Sequence, residues 1–206
     1  MEVLAERLTN YIINHGIIKR EDYAVYKYGL QTGMEMCLCL GTCAIVAIYL
    51  NLFMYFLIFS LAFCPLRAYV GGIHMKHFFS CYLASVSVTI IGIVAAQYRN
   101  QLNVVGAILT VFAMYFIHKL SFLTTNEDEE AKDYFALQRK RILICIGFVF
   151  SFFVWTGMNE MAFVLSYVLF VTLISVALEV IRRLWIIRKV VKASMLQDGN
   201  TFHFKR

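Results

Sequence analysis

Charge is scarce in this chain, and the scarcity excludes more than any motif includes. Only 16% of its 206 residues are charged, against about 25% in ordinary soluble domains. With 61% hydrophobic residues and a mean hydropathy of +0.70, a soluble fold could not hide the apolar surface in one core. Lipid is therefore the solvent for much of the chain. Proline is nearly absent: Pro65 stands alone, and no repeats or low-complexity tracts appear. CxxC pairs are lacking among the six cysteines, which fall mostly inside apolar runs. The first long apolar run starts only after about 30 residues, so no secretory signal is expected and the thiols read as reduced, apolar packers. Cys37 and Cys39 with Cys43 suggest a metal, but histidine and carboxylate partners are missing nearby. No metal and no cofactor is expected. The net charge of +6 and pI near 9.0 fit cytoplasmic-loop charge in a membrane protein, and no nucleic-acid partner is expected.

What is present is a helical pattern. Residues 1–15 put Leu4, Leu8, Tyr11 and Ile12 on one face with Glu2, Glu6, Arg7, Asn10 and Asn14 opposite, and Gly16 is a natural stop. This is an amphipathic helix suited to a membrane interface or a partner. From Gln31 to Phe63 the only charge is Glu35. One helix of that length would be about 50 Å long, well beyond a hydrocarbon core of about 30 Å, so two helices turning near Leu50 and Asn51 fit better. Further spans are expected at Phe78 to Ala96, Val104 to His118, Ile142 to Thr156 and Met161 to Val180, and Pro65 should stop or kink the second. The fold class expected is all-α: an integral membrane protein with about six transmembrane helices and an N-terminal amphipathic helix. It forms a single membrane domain over residues 1–206, with an amphipathic segment at 1–30, a six-helix core at 31–180, a cytoplasmic loop at 120–141 and a basic cytoplasmic tail at 181–206. Six crossings put both termini on one side. With that side cytoplasmic, Arg99 alone of the 19 Lys and Arg residues faces out, as the positive-inside asymmetry requires. Gly29 and Gly33 form a GxxxG at a span's edge. Glu179, close to Arg182 and Arg183, reads as a helix-end ion pair.

One segment differs from the rest. Cys64 to Cys81 collects Pro65, Arg67, Gly71, Gly72, His74, Lys76 and His77 at a membrane boundary. A thiol attacks as its thiolate, and a neighbouring imidazole with local positive charge makes that form accessible near neutral pH. Cys81 near the start of a span, with His74 or His77 close and Arg67 and Lys76 adding positive field, meets this need. A helix N-terminus favours the thiolate further. Gly71 and Gly72 permit backbone conformations closed to other residues and close approach of a peptide substrate. His77 and Cys81 are i, i+4 and share a helix face. His74 and Cys81 are i, i+7, about 10.5 Å apart on a continuous helix, so His74 can serve only if the chain folds back or the helix starts after it. Both bases stay open on spacing alone.

The spacing of Arg67, Gly71-Gly72, His74 and Cys81 resembles that of the accessory gene regulator B (AgrB) family, the membrane peptidases of peptide quorum sensing in Gram-positive bacteria. Length and span layout agree across nearly the whole chain, although the 120–141 loop lacks the proline often found there. The resemblance implies Cys81 and His74 as the catalytic pair, with Arg67 and Gly72 contributing to the site. It also implies a cysteine-type endopeptidase in the bacterial cytoplasmic membrane that acts on an amphipathic precursor peptide with an acidic C-terminal tail. Cys81 would release the tail, and the resulting thioester would pass to a Cys or Ser of the precursor, closing a thiolactone or lactone ring. Arg67, Lys76 and Arg139 to Arg141 would attract the tail. The partners expected are this precursor and the lipid bilayer; assembly into a homo-oligomer, a dimer, is left open. A small peptide transporter without covalent chemistry, or a helical scaffold, are the competing readings. The first would need polar residues deep in the spans, where only Glu35 and Glu179 are available, both near ends.

Overall fold

The computed structural model describes residues 2–70, 78–98, 104–121 and 129–201. Its elements are α1 (Glu2–Asn14), a 3₁₀ turn (Arg20–Asp22), α2 (Tyr23–Tyr49), α3 (Phe53–Val70), α4 (Phe78–Gln97), α5 (Val104–Ser121), α6 (Glu129–Trp155) and α7 (Asn159–Thr201). The protein is all-α, with no strand among the described residues. Among the described residues, four helical stretches are long and apolar enough to cross a membrane: Arg20–Tyr49, Phe53–Val70, Phe78–Gln97 and Asn159–Lys189. Gly106–Ser121 is a shorter apolar helix. Helices α2 to α7 overlap the six expected spans in sequence, four of them and the shorter α5 having the apolar length noted, while α6 is uncharged only beyond Arg141. That stretch, residues 142–155, extends about 21 Å at 1.5 Å per residue.

Three boundaries differ from expectation. The 120–141 segment is helical from Glu129 onward, because α6 begins there rather than at residue 142. The basic segment after residue 180 continues α7 as helix to Thr201. At 43 residues α7 is about 65 Å long, twice a hydrocarbon thickness. Pro65 lies inside α3 and does not end it. Proline removes one donor and crowds the preceding turn, which membrane helices tolerate where neighbouring groups satisfy the freed carbonyl.

The turns follow one rule. After α2, Asn51 takes a positive φ of 57°. Leu52 N–H donates to Ala47 C=O at 2.8 Å, and Asn51 N–H to Ile48 C=O at 3.1 Å. This pair of bonds, with a left-handed residue after the cap, is the Schellman closure. After α6, Gly157 (φ 76°) repeats it through Met158 to Phe153 and Gly157 to Val154. Both turns fall between expected spans, the first at the expected Leu50 and Asn51.

The chain divides into two compact units. In the first, Met1–Ser60 with Met75–Ala95, α1 packs on α2. The α1 residues without exposed surface are Ala5 and Thr9, whereas Leu4, Leu8 and Tyr11 stay exposed. Lys27 of α2 fastens the start of α1 through Glu2 (3.5 Å) and Glu6 (3.8 Å). In the second, Leu61–His74 with Ala96–Arg206, α7 packs against α5 and α6. Its core includes Ile117, Val164, Val168, Leu169 and Val176, all fully buried. Thr110 of α5 donates to Ser166 of α7 at 2.9 Å, while Ser166 returns its proton to Ala162 C=O at 3.0 Å. A Cβ placed on Gly147 of α6 would come within 3.1 Å of the Met114 methyl, so glycine lets α6 approach α5.

Candidate active site

The site residues stand at the end of α3, in the α3–α4 connection and at the start of α4. Near its end α3 is anchored through Leu66 and Val70, both buried and one turn apart. Between them Arg67 projects a partly exposed side chain, and its Nη1 donates to Ser175 Oγ of α7 at 2.9 Å. Tyr69 sets its ring 5.8 Å from that of Phe135 in α6, tilted by 52°. The end of α3 is thereby fixed to both α6 and α7.

Gly71, Gly72, His74, Lys76 and His77 lie outside the described residues. Cys81 is described. It sits in the first turn of α4, which opens at Phe78, and its thiol is reduced and partly exposed. The start of α4 is held to α2 by the next residue, Tyr82. Its hydroxyl donates to Thr42 Oγ1 at 2.9 Å, and its ring lies 5.9 Å from that of Phe78. All six cysteines carry free thiols, and no group of His, Cys, Asp and Glu able to hold a metal occurs among the described residues.

The charged residues divide more sharply than their sequence suggests. Arg139 is buried at 2% exposure and donates from Nη1 to Ser121 C=O at 3.3 Å, capping the last turn of α5. Burial pulls its guanidinium below the ordinary arginine range. Arg139 is thus a structural residue, and of the expected basic cluster only Lys140 and Arg141 are exposed. Glu179 is the ion-pair centre that was expected. Arg182 Nη2 (3.1 Å) and Arg183 Nε (3.0 Å) both donate to its Oε1, while Oε2 lies 3.0 Å from Arg182 Nε as an ion pair without a hydrogen bond. Glu35 accepts from Gln31 at 3.1 Å. Sequence reasoning missed Ser175 and the Tyr82–Thr42 tie, since a serine or threonine in an apolar run carries no motif.

A family model described as accessory gene regulator B matches residues 5–181. No curated protein and no solved structure matches the chain.

Proposed function

The chain belongs to the accessory gene regulator B family, and on that premise we propose that it is a membrane-embedded cysteine endopeptidase that trims a quorum-sensing precursor peptide. Family membership and the apolar helices carry the coarser statement, a membrane protein of autoinducer-peptide processing. The observation that supports the finer reading is the Arg67, Gly72, His74, Cys81 spacing within the matched residues, together with a reduced, partly exposed Cys81 at the start of α4.

In this reading His74 takes the Cys81 proton as general base. The thiolate attacks the carbonyl carbon of the bond before the acidic tail. As the C–N bond breaks, the imidazolium returns the proton to the leaving amine, and the tail departs. The acyl group remains on Cys81 as a thioester. A Cys or Ser side chain of the precursor then gives its proton to the neutral His74 and attacks that carbonyl; the thioester C–S bond breaks, Cys81 leaves as the thiolate and takes the proton back from His74, and a thiolactone or lactone closes. A membrane-shielded site keeps water from the acyl-enzyme. Arg67, Lys76, Lys140 and Arg141 draw in the tail, an attraction that weakens as ionic strength rises. In this reading the chain crosses six times with its Lys- and Arg-rich side inward, both termini are cytoplasmic, and the precursor meets the site at the inner leaflet.

The test is cleavage of the precursor co-expressed from the short reading frame beside the gene. Cys81→Ala should abolish cleavage, and His74→Ala should lower it by about 10² to 10⁴-fold, while both variants insert in the membrane normally. His77→Ala should keep most of the activity. Normal cleavage by Cys81→Ala would falsify the reading.

A further inference from the structure

We propose that the C-terminal half of α7 carries a binding surface for anionic phospholipid, centred on Trp185 with Arg188 and Lys189. The carrying observation is the order of side chains along one exposed face. Ile174, Leu178, Ile181 and Trp185 recur at steps of three and four residues, so they share a face, and all four are exposed. Val176 and Val180, on the opposite face, are buried. Arg188 and Lys189, one turn beyond Trp185, are exposed as well, and Lys189 Nζ lies 5.3 Å from the centre of the Trp185 ring. The face thus runs from aliphatic to aromatic to cationic. That is the order met on moving from the acyl chains of a bilayer through its interface to the headgroup phosphates. A protein partner imposes no such order.

Length places this face at the depth it needs. The chain has two tryptophans: Trp155 ends α6 at 84% exposure, and Trp185 stands on α7 at 63%. Between Asn159, where α7 opens, and Trp185 the helix rises about 39 Å at about 1.5 Å per residue. A bilayer measures about 40–45 Å with its headgroup regions, so the two rings fall near opposite interfaces, where tryptophan collects. The two ends differ in charge. No Lys or Arg occurs between Arg141 and Arg182, whereas no Asp or Glu occurs between Glu179 and Asp198. Glu179 is engaged by Arg182 and Arg183. The cations beyond it, Arg188 and Lys189, therefore have no acidic neighbour close in sequence on α7, and they offer their charge to lipid phosphate.

The experiment uses the full chain in proteoliposomes and its own tryptophans. With Trp155→Phe, Trp185 is the single reporter. Two bilayers contain phosphatidylglycerol and phosphatidylcholine in equal amounts, with brominated acyl chains on the first lipid in one bilayer and on the second in the other. Trp185 fluorescence should be quenched in both, and more strongly where phosphatidylglycerol carries the bromine. The double variant Arg188→Gln with Lys189→Gln should keep the quenching and lose the preference. With Trp185→Phe instead, Trp155 at the end without cations should be quenched equally in the two bilayers. Equal quenching of Trp185 in both bilayers, or a preference that survives the double variant, would overturn the assignment. So would quenching of Trp185 by aqueous iodide with no effect of bromine, which places the ring in water. A ring reached by neither quencher is covered by protein and overturns it too.

Discussion

The helix pair that carries Cys81 and the helix group around α7 are built on different terms. In the α7 group, 44% of the most apolar stretch of Asn159–Lys189 is buried, against 11% for Arg20–Tyr49 and 17% for Phe78–Gln97. Around α7 the contacts are layered: large aliphatic side chains, the Thr110–Ser166 bond and the buried Arg139 cap. In α4, among the described residues, the Tyr82 hydroxyl ties the start of the helix to Thr42 of α2. Dense packing fixes geometry, whereas the low buried share of α2 and α4 leaves most of their surface to lipid.

Substitutions sharpen or break that contrast. The largest stability effect should come from Leu169→Ala in the α7 group, where the side chain is fully buried. A cavity there costs about 2–5 kcal/mol, readable as a fall in the denaturant midpoint of the detergent-solubilised protein. Thr110→Val removes a hydrogen bond between α5 and α7 and should cost about 0.6 kcal/mol, as such bonds do in membrane bundles. Ile45→Ala on α2, a residue mostly exposed within the chain, should fall within about 0.5 kcal/mol of the wild type. If Ile45→Ala proved as costly as Leu169→Ala, the sparse region would be packed after all and the contrast would be lost.

Much of this was legible in the sequence because periodicity and turn chemistry are local. The α2–α3 turn at Leu50 and Asn51 followed from span length and is closed by the positive-φ Asn51. The Glu179 ion pair followed from i, i+3 and i, i+4 spacing. Other features came only from the fold. On α1 the apolar stripe of Leu4, Leu8 and Tyr11 stays exposed within the chain, compatible with the expected interface or partner helix, while the contact with α2 buries Ala5 and Thr9. In lipid, helices approach one another through small residues and leave large apolar ones outside. The segment after residue 180 read as a tail because of its charge, but Glu179 bonded to Arg182 and Arg183 supports continued helix. Arg139 read as a surface cation and is a buried helix cap. Ser175 was invisible, because its partner lies on a distant helix. Of the candidate site, the motif is a matter of sequence alone, whereas the bond from Arg67 to Ser175 of α7 is visible only in the fold.

The most direct test is mass spectrometry of Cys81 after brief reaction with the precursor and acid quenching. A thioester between the Cys81 sulfur and the tail-less precursor, lost on treatment with hydroxylamine and missing in Cys81→Ala, is the expected result. Tail release at the normal rate with no acyl group ever found on Cys81, under conditions that trap an authentic thioester, would contradict it.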